Sequence, residues 1–198
     1  MSTYTKDARI GTQMQYVRAY VAGSKLLAEL GDAATPAKFA AHAKRVADAA
    51  IASYKNPKTQ TYGSTWHLNT LAVLALGEES NHAIWDSVLA KVKQDSPTDE
   101  VVSPYFNTYV LDAMAKMGHR EDALMWIRKY WGGMLAEGAT SFWEAHDLRW
   151  QKANPHLGLQ ADGTTGYFIS MAHGWSAGPT AWFQREVLGI KPTSSGFK

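Results

Sequence analysis

Four times along this chain an apolar helical pattern runs into a glycine: Leu26-Leu-Ala-Glu-Leu-Gly31, Ala72-Val-Leu-Ala-Leu-Gly77, Asp112-Ala-Met-Ala-Lys-Met-Gly118 and Arg185-Glu-Val-Leu-Gly189. A glycine just past a helix adopts the left-handed conformation that closes the last turn, so each segment reads as a helix with a C′ glycine. After the first three a second amphipathic helix opens almost at once: Thr35-Pro36 with Phe39, Val46 and Ile51; Ser80 with Ile84, Val88 and Val92; Arg120 with Leu124, Ile127 and Trp131. Thr35 as N-cap with Pro36 in the first turn is a helix start signal. Glycines 31, 77 and 118 stand 46 and 41 residues apart, a period suited to stacked two-helix units. The apolar runs are rich in Ala, Leu and Met, which favour helix over sheet. The expected fold is therefore all-α, an array of about three and a half helical hairpins.

The two kinds of helix differ in character. Trp66-His-Leu-Asn-Thr-Leu-Ala-Val-Leu74 and Tyr105-Phe-Asn-Thr-Tyr-Val-Leu-Asp-Ala-Met114 are apolar around most of their circumference, as helices buried on both sides must be. The others carry a charged outer stripe. This contrast predicts alternating inner and outer helices, with short turns at the glycines and longer loops at the opposite end. The longer loops hold Tyr62-Gly-Ser-Thr-Trp-His67, Ser103-Pro-Tyr-Phe106 and the stretch from Glu144 to Trp175. Binding and catalytic groups concentrate on loops displayed by a rigid scaffold.

At 198 residues, with 45% hydrophobic and 19% charged residues, the chain can bury one sizeable core and reads as a single domain. A net charge of +2 with no charged run leaves no electrostatic footprint for nucleic acid or an anionic membrane. The absence of cysteine excludes disulfides, thiolate metal sites and a cysteine nucleophile. The polar N-terminus lacks an apolar signal core and no apolar run approaches a membrane span, so the chain as given reads as unexported and cytoplasmic. His42, His82, His119, His146, His156 and His173 are dispersed without an H-x-x-x-H pair, so no metal site is expected and no cofactor is implied. A serine-nucleophile elbow is not expected either, since the strand it requires is missing.

Two segments near the C-terminus carry chemistry: Gly138-Ala-Thr-Ser-Phe-Trp-Glu144 and Ser170-Met-Ala-His-Gly-Trp-Ser-Ala-Gly-Pro179. They bring one carboxylate, one imidazole and two indoles onto interhelical loops. A sugar offers hydroxyls to charged groups and C–H faces to indoles, and glycoside hydrolysis needs carboxyl groups as acid and base. From the residues alone, Glu144 could equally be a loop charge or a helix cap. His173 could be a core histidine, and Trp66, Trp85, Trp126 and Trp131 suit a core better than a sugar platform. Residues 145–168, with Arg149, Trp150, His156 and Gly163-Thr-Thr-Gly166, form a long loop that could be a lid or a surface excursion.

These segments, together with Tyr62-Gly-Ser-Thr-Trp66, Ser103-Pro-Tyr-Phe106, Trp131-Gly-Gly-Met-Leu135, Leu188-Gly-Ile-Lys-Pro192 and Gly196-Phe197, resemble the C-terminal half of the catalytic domain of bacterial α-L-rhamnosidases, glycoside hydrolase family 78. The resemblance runs from about Thr12 onward. It implies a partial (α/α)6 barrel, inverting hydrolysis of terminal α-L-rhamnosyl bonds, and Glu144 as the general base that activates water. It also implies that His173 contacts the sugar and that Trp143 and Trp175 shape the pocket or stack on the ring. Tyr105 and Trp66, at the starts of inner helices, are further substrate-binding candidates by position. The general acid of that family lies in an acidic motif containing a Glu-Arg pair, and no Glu-Arg pair occurs in this chain. The partners implied are a rhamnosyl glycoside or oligosaccharide and, for a half barrel with exposed apolar flanks, a second copy or the missing N-terminal half. The competing expectation is a non-catalytic helical module that binds sugar or self-associates.

Overall fold

In a computed structural model that describes residues 6–94, 102–148 and 169–194, the fold is helical throughout and contains no strand among these residues. Seven α-helices are described: α1 (Lys6–Glu29), α2 (Thr35–Tyr54), α3 (Trp66–Ala75), α4 (His82–Ser87), α5 (Pro104–Lys116), α6 (Arg120–Ala136) and α7 (Gly178–Trp182). The chain divides into two compact units, residues 1–91 and 92–198. Of the long loop expected over 145–168, residues 149–168 lie outside the described residues, as do Gly196 and Phe197.

The glycine punctuation behaves as the repeat requires. Gly31, Gly77, Gly118 and Gly189 all have positive φ, between 71° and 89°. At Gly118 the turn is closed by Gly118 N–H donating to the Ala115 carbonyl and His119 N–H to the Met114 carbonyl, at 3.1 and 2.8 Å. This is the paired bonding that terminates a helix through a left-handed residue.

In the first unit α1 packs along α2 and against α3. Its inward stripe is Ile10, Met14 and Val17, one residue per turn. Helix α3 is buried at Trp66, Leu68, Asn69, Thr70, Leu71, Ala72 and Val73, whereas the twice-longer α2 buries only Ala43 and Ala50. The buried α3 beside the half-exposed α2 is what the two sequence patterns foretold, whereas α1, which ends in a glycine like α3 and was expected to be an inner helix, is exposed along most of its length. In the second unit α5 is the central element, packing against α6, α7 and the short 3-10 turn Gly174–Ser176. Its buried face is Asn107, Val110, Leu111, Met114 and their small neighbours. Tyr16, Leu26 and Leu30 in the first unit and Val187, Leu188 and Ile190 in the second remain exposed.

Three local expectations are corrected. Thr35 is not the cap of α2; it is already helical, and Asp32 Oδ1 accepts from Ala34 N–H and Thr35 N–H at 2.8 and 2.9 Å. A carboxylate three residues upstream reaches the first turn and takes over the role. The helix expected from Ser80 through Val92 breaks at Val88, whose φ of −125° and ψ of −65° are not helical, and continues as a 3-10 stretch, Leu89–Lys93. The last helix, expected to end regularly at Gly189, widens to a π-turn over Phe183–Val187.

Candidate functional site

The residues of interest gather in the second unit, on two segments clamped together and one helix start. Ser103 caps α5, its Oγ accepting from Phe106 N–H at 3.2 Å, and Pro104 fits the first turn. This places Tyr105 on the outward side of the first turn, 44% exposed, with Tyr109 one turn later. Their hydroxyls are 2.8 Å apart and their rings meet edge to face.

Helix α6 ends at Ala136 and is closed by Gly138, φ 94°, after which residues 139–148 follow. The segment 169–177 is laid across them. Glu144 N–H donates to the Ser170 carbonyl at 2.8 Å and His173 N–H to the Phe142 carbonyl at 2.7 Å. Ser141 Oγ donates to the Met171 carbonyl and Ser176 Oγ to the Trp143 carbonyl. Trp131 Nε1 donates to the Ser176 carbonyl at 3.0 Å, tying this crossing to α6.

Glu144 is held at the crossing by both backbone and side chain. Ser170 N–H donates to its Oε2 at 3.0 Å, and the indole N–H of Trp175 donates to its carbonyl at 3.3 Å. The carboxylate is half-buried, and its Oε1 takes no hydrogen bond among the described residues. The His173 imidazole lies against Trp175, centroids 4.2 Å apart, and Trp175 against Tyr105 at 5.7 Å. Trp175 is 49% exposed. The ring nitrogens of His173 make no hydrogen bond among the described residues. The His173 imidazole and two exposed aromatic faces thus form one surface, tied through the Glu144 carbonyl to the residue that carries the carboxylate, and these groups are able to hydrogen-bond hydroxyls and cover an apolar ring face.

Glu144, His173, Trp175 and Tyr105 are brought together. Trp143 is not part of the exposed group: it is 2% exposed and faces His146, so it supports the crossing from beneath rather than stacking on a ligand. Trp66 lies in the first unit and is 1% exposed, a core aromatic. A small hollow of about 240 Å3, lined by Trp131, Met134, Leu135, Ala139, Thr140 and Phe142, adjoins the same loop and carries no charged group.

His146 is buried below the site at 2% exposure, against Tyr130 and Trp143. Burial pulls its imidazole down to about 4, against the opposing influence of Asp147 and Glu137. Tyr130 beside it has its hydroxyl within 2.8 Å of both the Val102 and His146 carbonyls, and burial pushes its phenol up.

Sequence reading passed over two asparagines that build the loops. Asn69 and Asn107 each stand four residues after the capping Thr65 and Ser103, and each precedes a threonine. Asn69 Nδ2 donates to the Thr65 carbonyl at 2.9 Å, and its Oδ1 accepts Tyr62 N–H at 3.0 Å. Asn107 Nδ2 donates to the Val102 carbonyl at 3.0 Å, and its Oδ1 accepts Trp126 Nε1 at 2.8 Å. Aligning the two buried helices on their caps would have exposed the repeated Asn-Thr pair.

The sequence reading also passed over Gly174-Trp-Ser176-Ala-Gly178, which has the G-x-S-x-G spacing of a nucleophile elbow. The structure gives Ser176 a different role. It is fully buried in a 3-10 turn with no strand before it among the described residues, and its hydroxyl is spent on the Trp143 carbonyl. No group of three His, Asp or Glu side chains able to hold a metal occurs among the described residues, and no helix among them is long and apolar enough to cross a membrane.

No protein-family model matches this chain, and no characterised protein matches it.

Proposed function

We propose that this chain supplies the base side of an inverting glycoside hydrolase site of α-L-rhamnosidase type, with Glu144 activating the attacking water. The observation that carries the reading is the placement of Glu144, its Oε2 fixed by Ser170 N–H and its backbone tied to Trp175. Next to it in the chain crossing stands the surface of half-buried His173 with exposed Trp175 and Tyr105. In this reading His173 and Oε1 meet sugar hydroxyls, Trp175 and Tyr105 cover the ring, and a partial (α/α)6 barrel is the scaffold. Rhamnose as the sugar rests on the resemblance of the surrounding motifs.

Inversion needs a second carboxyl, protonated, roughly 6.5 to 9.5 Å from the base. With no Glu-Arg pair in the sequence, neither this chain nor a second copy of it supplies that acid, which in this reading comes from a different polypeptide segment that completes the barrel. A nitrophenyl leaving group departs without protonation, so 4-nitrophenyl α-L-rhamnoside reads the base half by itself. The purified chain is expected to release nitrophenol, with Glu144→Gln slower by about 10²-fold or more, and the rhamnose first formed is expected as the β-anomer by NMR. Equal release by wild type and Glu144→Gln would overturn the role of Glu144.

The missing Glu-Arg pair also favours a second reading, a helical module that binds sugar without cleaving it. Saturable binding of rhamnose that shifts the Trp175 indole resonance, with no nitrophenol release, would select that reading.

A further inference from the structure

The first unit carries a groove of about 610 Å3 between α1 and α2 that the glycosidase reading does not use. Gln13, Tyr16 and Tyr20 line it from α1, and His42, Arg45 and Val46 from α2. Its volume lies within the range of small-molecule sites, and its chemistry is one-sided: phenols, an imidazole, a carboxamide and a guanidinium line it, and no carboxylate does.

The groove is also organised. Tyr20 is fixed between Phe39, which it meets edge to face at 5.2 Å, and His42, tilted against it at 4.4 Å. Arg45 Nη2 is hydrogen-bonded to His42 Nδ1. A guanidinium can only donate, so Nδ1 accepts and Nε2 carries a proton. His42 therefore presents an N–H donor, and Arg45 keeps four of its five. The one carboxylate nearby on α2, Asp48, is paired with Lys44 at 2.7 Å. Arg45 makes no ion pair among the described residues. Tyr16 turns a ring that is 58% exposed toward the same groove.

We propose that this groove binds a small planar aromatic carboxylate, its ring against Tyr16 and Tyr20 and its carboxylate on Arg45, which His42 holds through Nδ1. A guanidinium fork matches a carboxylate in two parallel hydrogen bonds, and its single charge balances one carboxylate rather than a dianion. Flat aromatic walls favour a ring over an aliphatic acid.

The test is titration of the purified chain with 4-hydroxycinnamate and with its methyl ester, followed by calorimetry and by the tyrosine side-chain resonances. The acid is expected to bind saturably at one site and the ester at least about tenfold more weakly, since the ester removes the charge that meets Arg45. Arg45→Gln, an exposed change, is expected to weaken the acid by about tenfold or more while leaving the helical circular dichroism unchanged. Tyr16→Ala tests the ring contact separately and is expected to weaken acid and ester alike. Glu144→Gln is expected to bind as wild type, so failure here is distinct from failure of the glycosidase reading. No saturable binding up to about 10 mM, equal binding of the ester, or undiminished binding by Arg45→Gln would each overturn the proposal. So would a groove closed by a second copy, seen as a dimer by sedimentation that Tyr16→Glu dissociates.

Discussion

Two tryptophans within two residues of a functional candidate do opposite work, and only the structure separates them. Trp143 precedes Glu144 and is buried against His146; Trp175 follows His173 by two positions and is half exposed, its N–H on the Glu144 carbonyl. Removing the first empties a packed site, and Trp→Ala in a core costs about 3–5 kcal/mol. Trp143→Ala is accordingly expected to lower the denaturant midpoint severely. Trp175→Ala loses an exposed face and one hydrogen bond, about 1 kcal/mol in stability, but is expected to abolish measurable rhamnose binding. Chemical denaturation and sugar titration on the two variants check this pair; the reverse pattern would sink the assignment. The asparagines make the same point about buried polar groups. Asn107 spends its amide on the Val102 carbonyl and the Trp126 indole, so Asn107→Leu is expected to destabilise by about 2–4 kcal/mol through orphaned partners.

At the scale of elements, the placement of α7 on α5 depends on a missing side chain. A Cβ on Gly178 would fall 1.8 Å from Thr108 Oγ1 and 2.7 Å from Thr108 Cβ, far inside contact distance. Gly178→Ala is expected to cost about 1–3 kcal/mol by overpacking, although alanine is the better helix former. Thermal unfolding of Gly178→Ala checks it, and an unchanged midpoint would show that α7 does not seat on α5 this closely. No sequence signal announces this contact, since Gly178 before Pro179 reads simply as a helix start. What was legible was the helix count and the C′ glycines, because left-handed backbone is a local demand that glycine meets alone. What was not legible were features set by neighbours in space: the break at Val88, the π-turn over Phe183–Val187 and the takeover of the α2 cap by Asp32. Glu144, His173 and Trp175 were named through their motifs and Tyr105 from its place at a helix start, while Trp143 and Trp66, named with them, are buried. The crossing of the two loop segments, built on Ser170 and Ser176, was not legible, because backbone hydrogen bonds between loops leave no pattern in residue type.

For the whole molecule the buried ionisable groups predict how stability depends on pH. His146 is held down to about 4 by burial, against an ordinary value near 6.5 in the unfolded chain. Between those values the unfolded chain binds the proton and the folded chain does not, so stability falls as pH is lowered from about 6.5 to about 4. The loss from this one group is roughly 3 kcal/mol, levelling off once the folded form also protonates. Carboxylates act lower down. Burial works to raise Glu78, but hydrogen bonds from Lys55, Asn81 and Tyr62 outweigh it and leave it below its ordinary value. Glu186 is lowered in the same way by Lys191 and Arg120, against its own burial. Their stabilisation is present above about pH 4.5 and is lost as pH falls through their depressed folded values. The upper part of the acid transition therefore belongs to His146 and the lower part to carboxylates: Glu78, Glu186 and the exposed Asp32, which hydrogen bonds from Thr35 and Ala34 hold below its ordinary value. Denaturant titrations at pH 7 and pH 5 separate them: His146→Gln is expected to be less stable at pH 7 yet to lose much less between the two pH values. A His146→Gln chain that keeps the full wild-type slope over this window would refute the assignment, and Lys55→Met, which leaves His146 intact, is expected to keep it.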